Sequence, residues 1–209
     1  MTRKYVIDSC SNVQMCSGHE FGCEAVIHAM KEICESEAAL LVDAANAFNS
    51  INRKAILHNI NIICPILATY VNNCYKIPAR LFIIGGRELK SKEGTTQGDP
   101  LGMFIYAIGI TPLLNMLLNI TMFDEANMVA FADDITAVGT FDALRKWWDN
   151  IVDLGPKFGY QPQPKKSWLI VKNSKIEEAK QHFRDTNIKI TAAGERHLGA
   201  VIGSKEFRA

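Results

Sequence analysis

Residues 128–138 read MVAFADDITAV, two short apolar runs separated by a pair of aspartates. The runs 128–132 and 135–138 consist of apolar and β-branched residues, which are typical of buried strands. Asp is a favoured turn residue, so Asp133 and Asp134 are predicted to form a tight turn between these strands. Two strands joined by a tight turn pair antiparallel. The stretch therefore predicts an antiparallel hairpin with two carboxylates at its tip.

Similar patterns predict the other elements of the chain. Helices are predicted over 18–35, 52–62 with Asn52 as N-cap, 65–75 opened by Pro65, 100–118, 141–158 and 176–184. Strands are predicted over 38–43, 168–171 and 198–202, and a second hairpin joins 81–84 to 87–90 through two glycines. No repeat, low-complexity tract or linker occurs. We therefore predict a single domain of the α+β class with antiparallel pairing.

The composition excludes several classes of protein. The 209 residues carry 23 Lys and Arg against 22 Asp and Glu, and the net charge of +1 excludes a generally basic nucleic-acid coat. The apolar fraction of 48% argues against a disordered chain. Six cysteines without an apolar leader at the N-terminus favour a reducing compartment. We expect an intracellular protein, cytoplasmic or nuclear, that is not secreted.

One uncharged segment, residues 101–118, is long enough to span a bilayer. It contains Pro112 in its middle, two glycines, and the polar residues Thr111 and Asn115. These residues favour a buried core helix, and no membrane partner is expected.

Carboxylates follow or join the predicted strands. Asp43 ends the strand 38–43, and Asp133 and Asp134 lie at the tip of the hairpin. Aspartates at the ends of buried strands are costly unless they are solvated, hydrogen-bonded or bound to a cation. Three carboxylates brought together would offer the hard oxygen ligands that Mg²⁺ prefers. Two such ions about 3.5–4 Å apart are the usual clamp for displacement at phosphorus in polymerases and nucleases.

Five segments in order resemble the palm of reverse transcriptases, most closely those of non-LTR-type retroelements. They are VDAANAFN at 42–49, GTTQGDPL at 94–101, FADD at 131–134, GYQPQPKKS at 159–167, and His197-Leu198-Gly199, which is similar to the primer-grip strand. The resemblance covers about residues 38–203. It implies a polymerase palm, in which an antiparallel sheet carries the catalytic aspartates and helices pack on one face.

The resemblance assigns the chemistry to a few residues. Asp43 and Asp133, with Asp134 beside them, would coordinate two Mg²⁺ ions, for which Mn²⁺ can substitute. The backbone carbonyl of Ala44 would be a minor metal ligand. Lys166 would stand near the pyrophosphate as a general acid or a stabilising positive charge.

It also assigns the contacts to nucleotide and primer. Phe48 would lie under the incoming sugar as a steric gate, since a flat ring there leaves no room for a 2′-hydroxyl. Gln97 and Gly98 would line the nucleotide and template pocket, where glycine permits close backbone approach. Leu198 and Gly199 would contact the primer.

The implied organisation is a palm at 38–203, with a remnant of the fingers at 1–37 and the beginning of a thumb connection at 204–209. Fingers and thumb are thus expected to be largely missing, and weak polymerisation by the isolated chain is expected. The implied partners are an RNA or DNA template with its primer, dNTPs, and the rest of a larger retroelement polyprotein.

Two other functions stay open. A catalytically inactive palm would at most bind nucleic acid. An RNA-dependent RNA polymerase palm would be expected to have a smaller or polar residue at Phe48 and a Ser-Gly pair at 97–98. Separately, Cys10, Cys16, His19 and Cys23 suggest a zinc site, although their spacing matches no compact zinc module.

Overall fold

The computed structural model of the chain describes residues 3–33, 38–121, 126–204 and 207. The helices are α1 (Arg3–Asp8), α2 (Gly22–Ile33), α3 (Ala47–Ser50), α4 (Arg53–Ile63), α5 (Pro65–Tyr75), α6 (Gly102–Thr121), α7 (Phe141–Leu154) and α8 (Ile176–His182). The strands are β1 (Ala38–Val42), β2 (Ala79–Ile83), β3 (Arg87–Ser91), β4 (Ala126–Phe131), β5 (Asp134–Gly139), β6 (Trp168–Ile170), β7 (Lys189–Thr191), β8 (Gly194–His197) and β9 (Ala200–Gly203). Short 3₁₀ helices lie at Gly155–Phe158, Pro164–Lys166 and Asn173–Lys175.

The main sheet has five strands in the order β4-β5-β1-β6-β7. Its neighbours are antiparallel except β6 and β7, which run parallel. β1 lies at the centre, and all five of its residues are buried. Its sequence AALLV has no polar alternation because both faces of this strand are covered.

The two faces of β1 belong to different apolar clusters. Leu40 and Val42 point into the main core, which includes residues of α6 and α7. Leu41 points to the opposite face and packs in a smaller cluster with Val26 of α2 and Ile202 of β9. The α+β class and the antiparallel sheet are confirmed. The long helices lie on one face as predicted, and α2 and the β8-β9 hairpin add a layer to the other.

α6 is the core helix of the fold. Over Gly102–Ile120 it is long and apolar enough to cross a bilayer, and most of this stretch is buried inside the protein. A Cβ on Gly109 would lie 2.7 Å from Cγ1 of Ile56 in α4. Glycine at this position therefore permits the close packing of α4 on α6. The burial agrees with the prediction of a core helix.

Several predicted boundaries are confirmed. Asn52 caps α4, since its side chain accepts a hydrogen bond of 3.0 Å from the backbone N–H of Ala55. Pro65 is the first residue of α5. The predicted hairpin forms from β2 and β3, whose residues are paired from Ala79 and Ser91 to Ile83 and Arg87.

Two predicted helices differ from the observed ones by about one turn at one end. The helix predicted over 18–35 begins at Gly22, because Phe21 has a φ of 53°, outside the helical range. Its predicted end lies outside the described residues. The α-helix predicted over 141–158 ends one turn early and continues as a 3₁₀ turn, because Pro156 has no N–H for the α-helical pattern.

Candidate active site

Two aspartates far apart in the sequence meet at one end of the main sheet. β1 pairs with β5 so that Val42 lies opposite Ile135. The next residues in this antiparallel register are Asp43 and Asp134, which therefore lie side by side on neighbouring chain segments. Both line a cavity of about 230 Å³. Asp133 precedes Asp134, in the turn that joins β4 to β5.

The side chain of Asp43 has an unsatisfied oxygen. Its Oδ1 atom is buried and has no hydrogen-bond partner in the described part of the chain. The backbone of Asp43 is fixed, because its N–H donates to Ser167 Oγ at 3.3 Å and its carbonyl accepts from Gln163 N–H at 2.8 Å. A buried carboxylate oxygen without a donor is costly, and a bound cation removes that cost. The orphaned oxygen therefore fits a metal ligand.

Burial and neighbouring negative charge disfavour the ionised forms of the other two carboxylates. Burial, and secondarily the charge of Asp43, raises the pKa of Asp133. Burial raises the pKa of Asp134 to about 6, and the nearby charges of Asp133 and Asp43 add to the shift. Like charges in a partly buried site disfavour ionisation, and a divalent cation would reverse that effect. The electrostatics thus also fit a cation at this end of the sheet.

The side chains in the described part of the chain do not form a complete set of metal ligands. Over residues 3–33, 38–121 and 126–204, no three His, Cys, Asp or Glu side chains form a group that could hold a metal ion. The zinc hypothesis for Cys10, Cys16, His19 and Cys23 therefore gains no support from the described structure. For the aspartates, the donor chemistry still fits Mg²⁺, which keeps several waters and binds one or two carboxylates together with substrate phosphates.

The aspartate turn differs by one residue from the sequence prediction. Phe131 pairs with Asp134, so Ala132 and Asp133 form the turn and Asp134 begins β5. Ala132 has a φ of 55°, a left-handed conformation that costs a residue other than glycine about 1–2 kcal/mol. Tyr160, which is buried, donates its hydroxyl hydrogen to the carbonyl of Asp133 at 2.9 Å. The turn is thus strained and is held from the core.

Phe48 lies in α3 and is half-buried. Its ring stacks on that of Tyr106 in α6, with centroids 4.4 Å apart and an interplanar angle of 25°. Its carbonyl accepts a hydrogen bond of 2.7 Å from the N–H of Thr95. The stack limits the rotation of the ring, and the backbone bond ties Phe48 to the segment that carries Gln97 and Gly98.

The segment 91–99, which carries Gln97 and Gly98, is held at its beginning by the buried Arg53 at the start of α4. Its guanidinium donates to the carbonyls of Ser91 at 2.8 Å, Glu93 at 2.7 Å and Gly94 at 3.1 Å. The backbone N–H of Arg53 donates to the Glu93 carboxylate at 2.7 Å. The sequence pattern alone did not indicate a role for Arg53. The available signal was a basic residue in the first turn of a helix, where the helix dipole disfavours it.

The second anchor of the segment is Tyr75 at the end of α5. Its hydroxyl accepts from the N–H of Thr96 at 3.2 Å and donates to the carboxylate of Asp99. Between these two anchored residues, Gln97 and Gly98 are exposed, and Gly98 has a φ of 88°. A side chain other than glycine rarely adopts this conformation. The structure therefore presents Gln97 and Gly98 on an exposed turn with fixed ends.

Lys166 and Ala44 lie close to the carboxylates. Lys166 ends the 3₁₀ helix that precedes β6, and it lines the same cavity as Asp43 and Asp134. Ala44 follows Asp43 and forms an isolated antiparallel bridge with Pro162. The segment 161–167 therefore runs alongside the end of β1.

Leu198 and Gly199 form a turn, which corrects the prediction of a strand over 198–202. Their φ angles of 50° and 80° are left-handed and do not fit a strand. They join β8 to β9, and the latter begins at Ala200. The carbonyl of Leu198 accepts a weak hydrogen bond from the Cys23 thiol at 3.5 Å. The turn therefore contacts α2.

His197 lines the cavity beside the carboxylates and is buried. Its Nε2 lies 3.2 Å from Oγ1 of Thr136 in β5. Burial lowers the pKa of His197 to about 4, so the imidazole is neutral at neutral pH. It thus contributes no positive charge to the carboxylates, unlike Lys166 and Arg196, which line the same cavity.

The family model described as reverse transcriptase (RNA-dependent DNA polymerase) matches residues 4–190. No curated protein sequence matches the chain significantly.

Solved structures share the fold at low sequence identity. Apo telomerase from Candida tropicalis is 11% identical over 96% of this chain, with a TM-score of 0.69. Telomerase from Candida albicans in complex with the TWJ fragment of telomeric RNA is 11% identical over 98% of this chain, with a TM-score of 0.64. This chain spans 38% and 37% of the length of those two chains. At these identities the likeness concerns the fold alone.

Proposed function

The chain belongs to the reverse transcriptase (RNA-dependent DNA polymerase) family, and we propose on that basis that it adds dNTPs to a primer 3′-hydroxyl under the direction of an RNA template. The observation that carries the proposal is the buried, unpartnered Oδ1 of Asp43 next to Asp134, whose pKa is raised to about 6. Such a pair of carboxylates is costly to maintain without a cation. Nucleotidyl transfer by this family depends on divalent metal ions.

In the proposed site, Asp43, Asp133 and Asp134 hold two Mg²⁺ ions, with the carbonyl of Ala44 as a further ligand. When bound, these ions supply Lewis acidity that polarises the α-phosphate and lowers the pKa of the primer hydroxyl. Lys166, on the rim of the same cavity, offsets the negative charge that develops on the pyrophosphate.

Substrate selection falls to the residues around the carboxylates. Phe48, held by its stack on Tyr106, leaves no space for a 2′-hydroxyl and favours deoxynucleotides. Gln97 and Gly98 contact the nucleotide and template from their exposed turn. Leu198 and Gly199 hold the primer end, also from a turn.

The β2-β3 hairpin supports a nucleic-acid partner. Arg80 and Phe82 share one face of it, and the Arg80 guanidinium lies 5.3 Å from the centroid of the Phe82 ring. Lys90 is paired with Arg80 on the neighbouring strand, and all three side chains are exposed. Basic residues beside an exposed aromatic ring suit a single strand of nucleic acid.

We further propose that the chain is the palm of an intracellular non-LTR-type retroelement polyprotein.

The test is primer extension on poly(rA) with an oligo(dT) primer, dTTP, and Mg²⁺ or Mn²⁺. We expect metal-dependent incorporation that Asp133→Asn abolishes. The matched control is Asp153→Asn, since Asp153 is exposed on α7 and pairs with Lys157. A folded protein that binds the template-primer without extending it in either metal would indicate an inactive palm. Extension of ribonucleotides in preference to deoxynucleotides would indicate an RNA-dependent RNA polymerase.

A further inference from the structure

A segment before α2 lies along the edge of the main sheet. The carbonyl of Val13 accepts a hydrogen bond from the N–H of Ala130 in β4, and the N–H of Met15 donates to the carbonyl of Ala130, both at 2.8 Å. Gln14, between them, has no exposed surface. The segment is thus fixed in register on β4, and its central side chain points into the protein next to the aspartate turn.

The amide of Gln14 binds one residue of that turn at two points. Its Oε1 accepts from the N–H of Ala132 at 2.8 Å, and its Nε2 donates to the carbonyl of Ala132 at 3.0 Å. Ala132 is the left-handed residue of the turn and is bonded directly to Asp133. A two-residue turn offers the backbone N–H and carbonyl of Ala132 no partner within the hairpin ladder. Gln14 therefore satisfies both buried groups at once.

We propose that Gln14 is a positioning residue of the active site, which fixes the backbone of Ala132 and thereby holds the Asp133 carboxylate where it shares a divalent cation with Asp43. The inference rests on the proposed function. Tyr160 acts on the same turn from the other side, through its bond to the carbonyl of Asp133. The turn is thus fixed on both sides of the peptide that links Ala132 to Asp133.

The side-chain amide of glutamine both donates and accepts, so it satisfies both requirements here. A buried site that needed nothing but packing would accept Leu or Met without burying polar atoms. A glutamate would accept from the N–H of Ala132 but, when ionised, could not donate to its carbonyl. The segment 13–15 is already anchored to β4 by its backbone hydrogen bonds to Ala130. The two hydrogen bonds from the Gln14 side chain to Ala132 are therefore not needed for that anchoring, and they point to a role in the turn.

The test compares Gln14→Met with a matched control, Gln181→Met, at an exposed position of α8. The first readout is hydrogen exchange in the metal-free protein. We expect faster exchange confined to peptides covering 131–134 in Gln14→Met. The second is the Mg²⁺ concentration that gives half of the metal-induced rise in Tm, expected to increase by about 10-fold or more, as for other residues that orient metal ligands. The control should change neither.

Kinetics supply the third readout. In primer extension, Gln14→Met should lower kcat by about 10–100-fold and change the KM for dTTP less than about twofold, because the residue touches no nucleotide. Should Gln14→Met not fold, Gln14→Asn keeps the amide but shortens the side chain by one methylene, so it cannot make both bonds at their present lengths. It should show the same local exchange and a smaller rise in the Mg²⁺ midpoint.

A failure of this inference can be distinguished from a failure of the proposed function. If the parent protein gains stability from Mg²⁺ and Gln14→Met leaves both the midpoint and the exchange at 131–134 unchanged, the positioning role is overturned and the proposed function is not. Uniformly faster exchange over the whole sheet would also overturn it, since it indicates a general structural role. If the parent protein neither binds Mg²⁺ nor extends a primer, the proposed function fails, and the exchange result still decides whether Gln14 fixes the turn.

Discussion

The guanidinium of Arg53 lies over the ring of Tyr75, 5.4 Å from its centroid, so the two anchors of the segment 91–99 also contact each other. Arg53 holds the beginning of this segment and Tyr75 holds Thr96 and Asp99. The cation and the ring form one unit between α4 and α5. The proposed nucleotide-binding turn therefore depends on packing beneath it.

Removing the guanidinium should destabilise the protein. Arg53→Met removes the donors to the buried carbonyl of Gly94 and the partly buried carbonyl of Glu93, which costs about 2–4 kcal/mol in the free energy of unfolding. Arg53→Lys should recover only part of this loss, because an ammonium cannot reproduce the planar fork of donors. Urea unfolding measures both variants. Arg87→Ala, at an exposed position of β3, is the control, and an equal loss in that variant would contradict this role of Arg53.

Phe48→Ala should admit ribonucleotides. It opens space beside the proposed sugar position without removing a carboxylate, so the preference for dTTP over UTP should fall by about 10-fold or more while metal dependence is retained. The variant also loses the stack on Tyr106, and we expect a stability loss of about 2 kcal/mol.

The control separates the gate from stability alone. Phe141, at the start of α7, is also half-buried against the main core but lies at the other end of β5 from Asp134. Phe141→Ala should lose similar stability with unchanged sugar discrimination. Unchanged discrimination in Phe48→Ala would remove the gate assignment.

Asp134→Asn should stabilise the metal-free protein at alkaline pH. The pKa of Asp134 is about 6 in the folded protein against an ordinary value of 3.8, so the folded state holds the proton more tightly. Its stability therefore falls as pH rises from about 3.8 to 6, and the amide avoids that loss. The gain should reach up to about 3 kcal/mol at pH 8 and vanish near pH 3.5.

Urea unfolding in EDTA at both pH values measures this difference, with Asp153→Asn as control. Added Mg²⁺ should stabilise the parent protein more than Asp134→Asn, since a ligand that binds the folded state raises stability through its affinity. If Asp134→Asn is less stable than the parent at pH 8 in EDTA, the raised pKa of Asp134 is contradicted.

His197 should make the protein sensitive to acid. The pKa of His197 is about 4 in the folded protein against an ordinary value of 6.5, so the unfolded state binds the proton first as pH falls. Stability is therefore lost between pH 6.5 and 4, by up to about 3 kcal/mol. His197→Gln keeps a partner for Thr136 and should be relatively more stable at pH 4.5 than at pH 7.5. His58→Gln, on the exposed side of α4, should follow the parent at both pH values.

The sequence identified the ends of β1 and the β4-β5 hairpin as the candidate place for chemistry, since apolar runs that end in aspartate are locally distinctive. Asn52 and Pro65 also indicated where α4 and α5 begin, and the two glycines indicated the turn between β2 and β3, because caps and turns depend on neighbouring residues. The sequence did not show that Asp134 begins a strand and that Ala132 lies in the turn. A shift of one residue in register is decided by the pairing between the two strands, which local sequence does not reveal.

The family, the fold class and the identity of the candidate residues were thus readable in the chain itself, from residue types in a fixed order. Only the tertiary structure decided which residues support them. Gln14 reaches Ala132 across 118 positions, Arg53 reaches Gly94 across 41, and His197 reaches Thr136 across 61. Local propensity carries no information about such contacts. They arise when burial forces each polar group to find a partner, and that partner is chosen by the packing of distant elements.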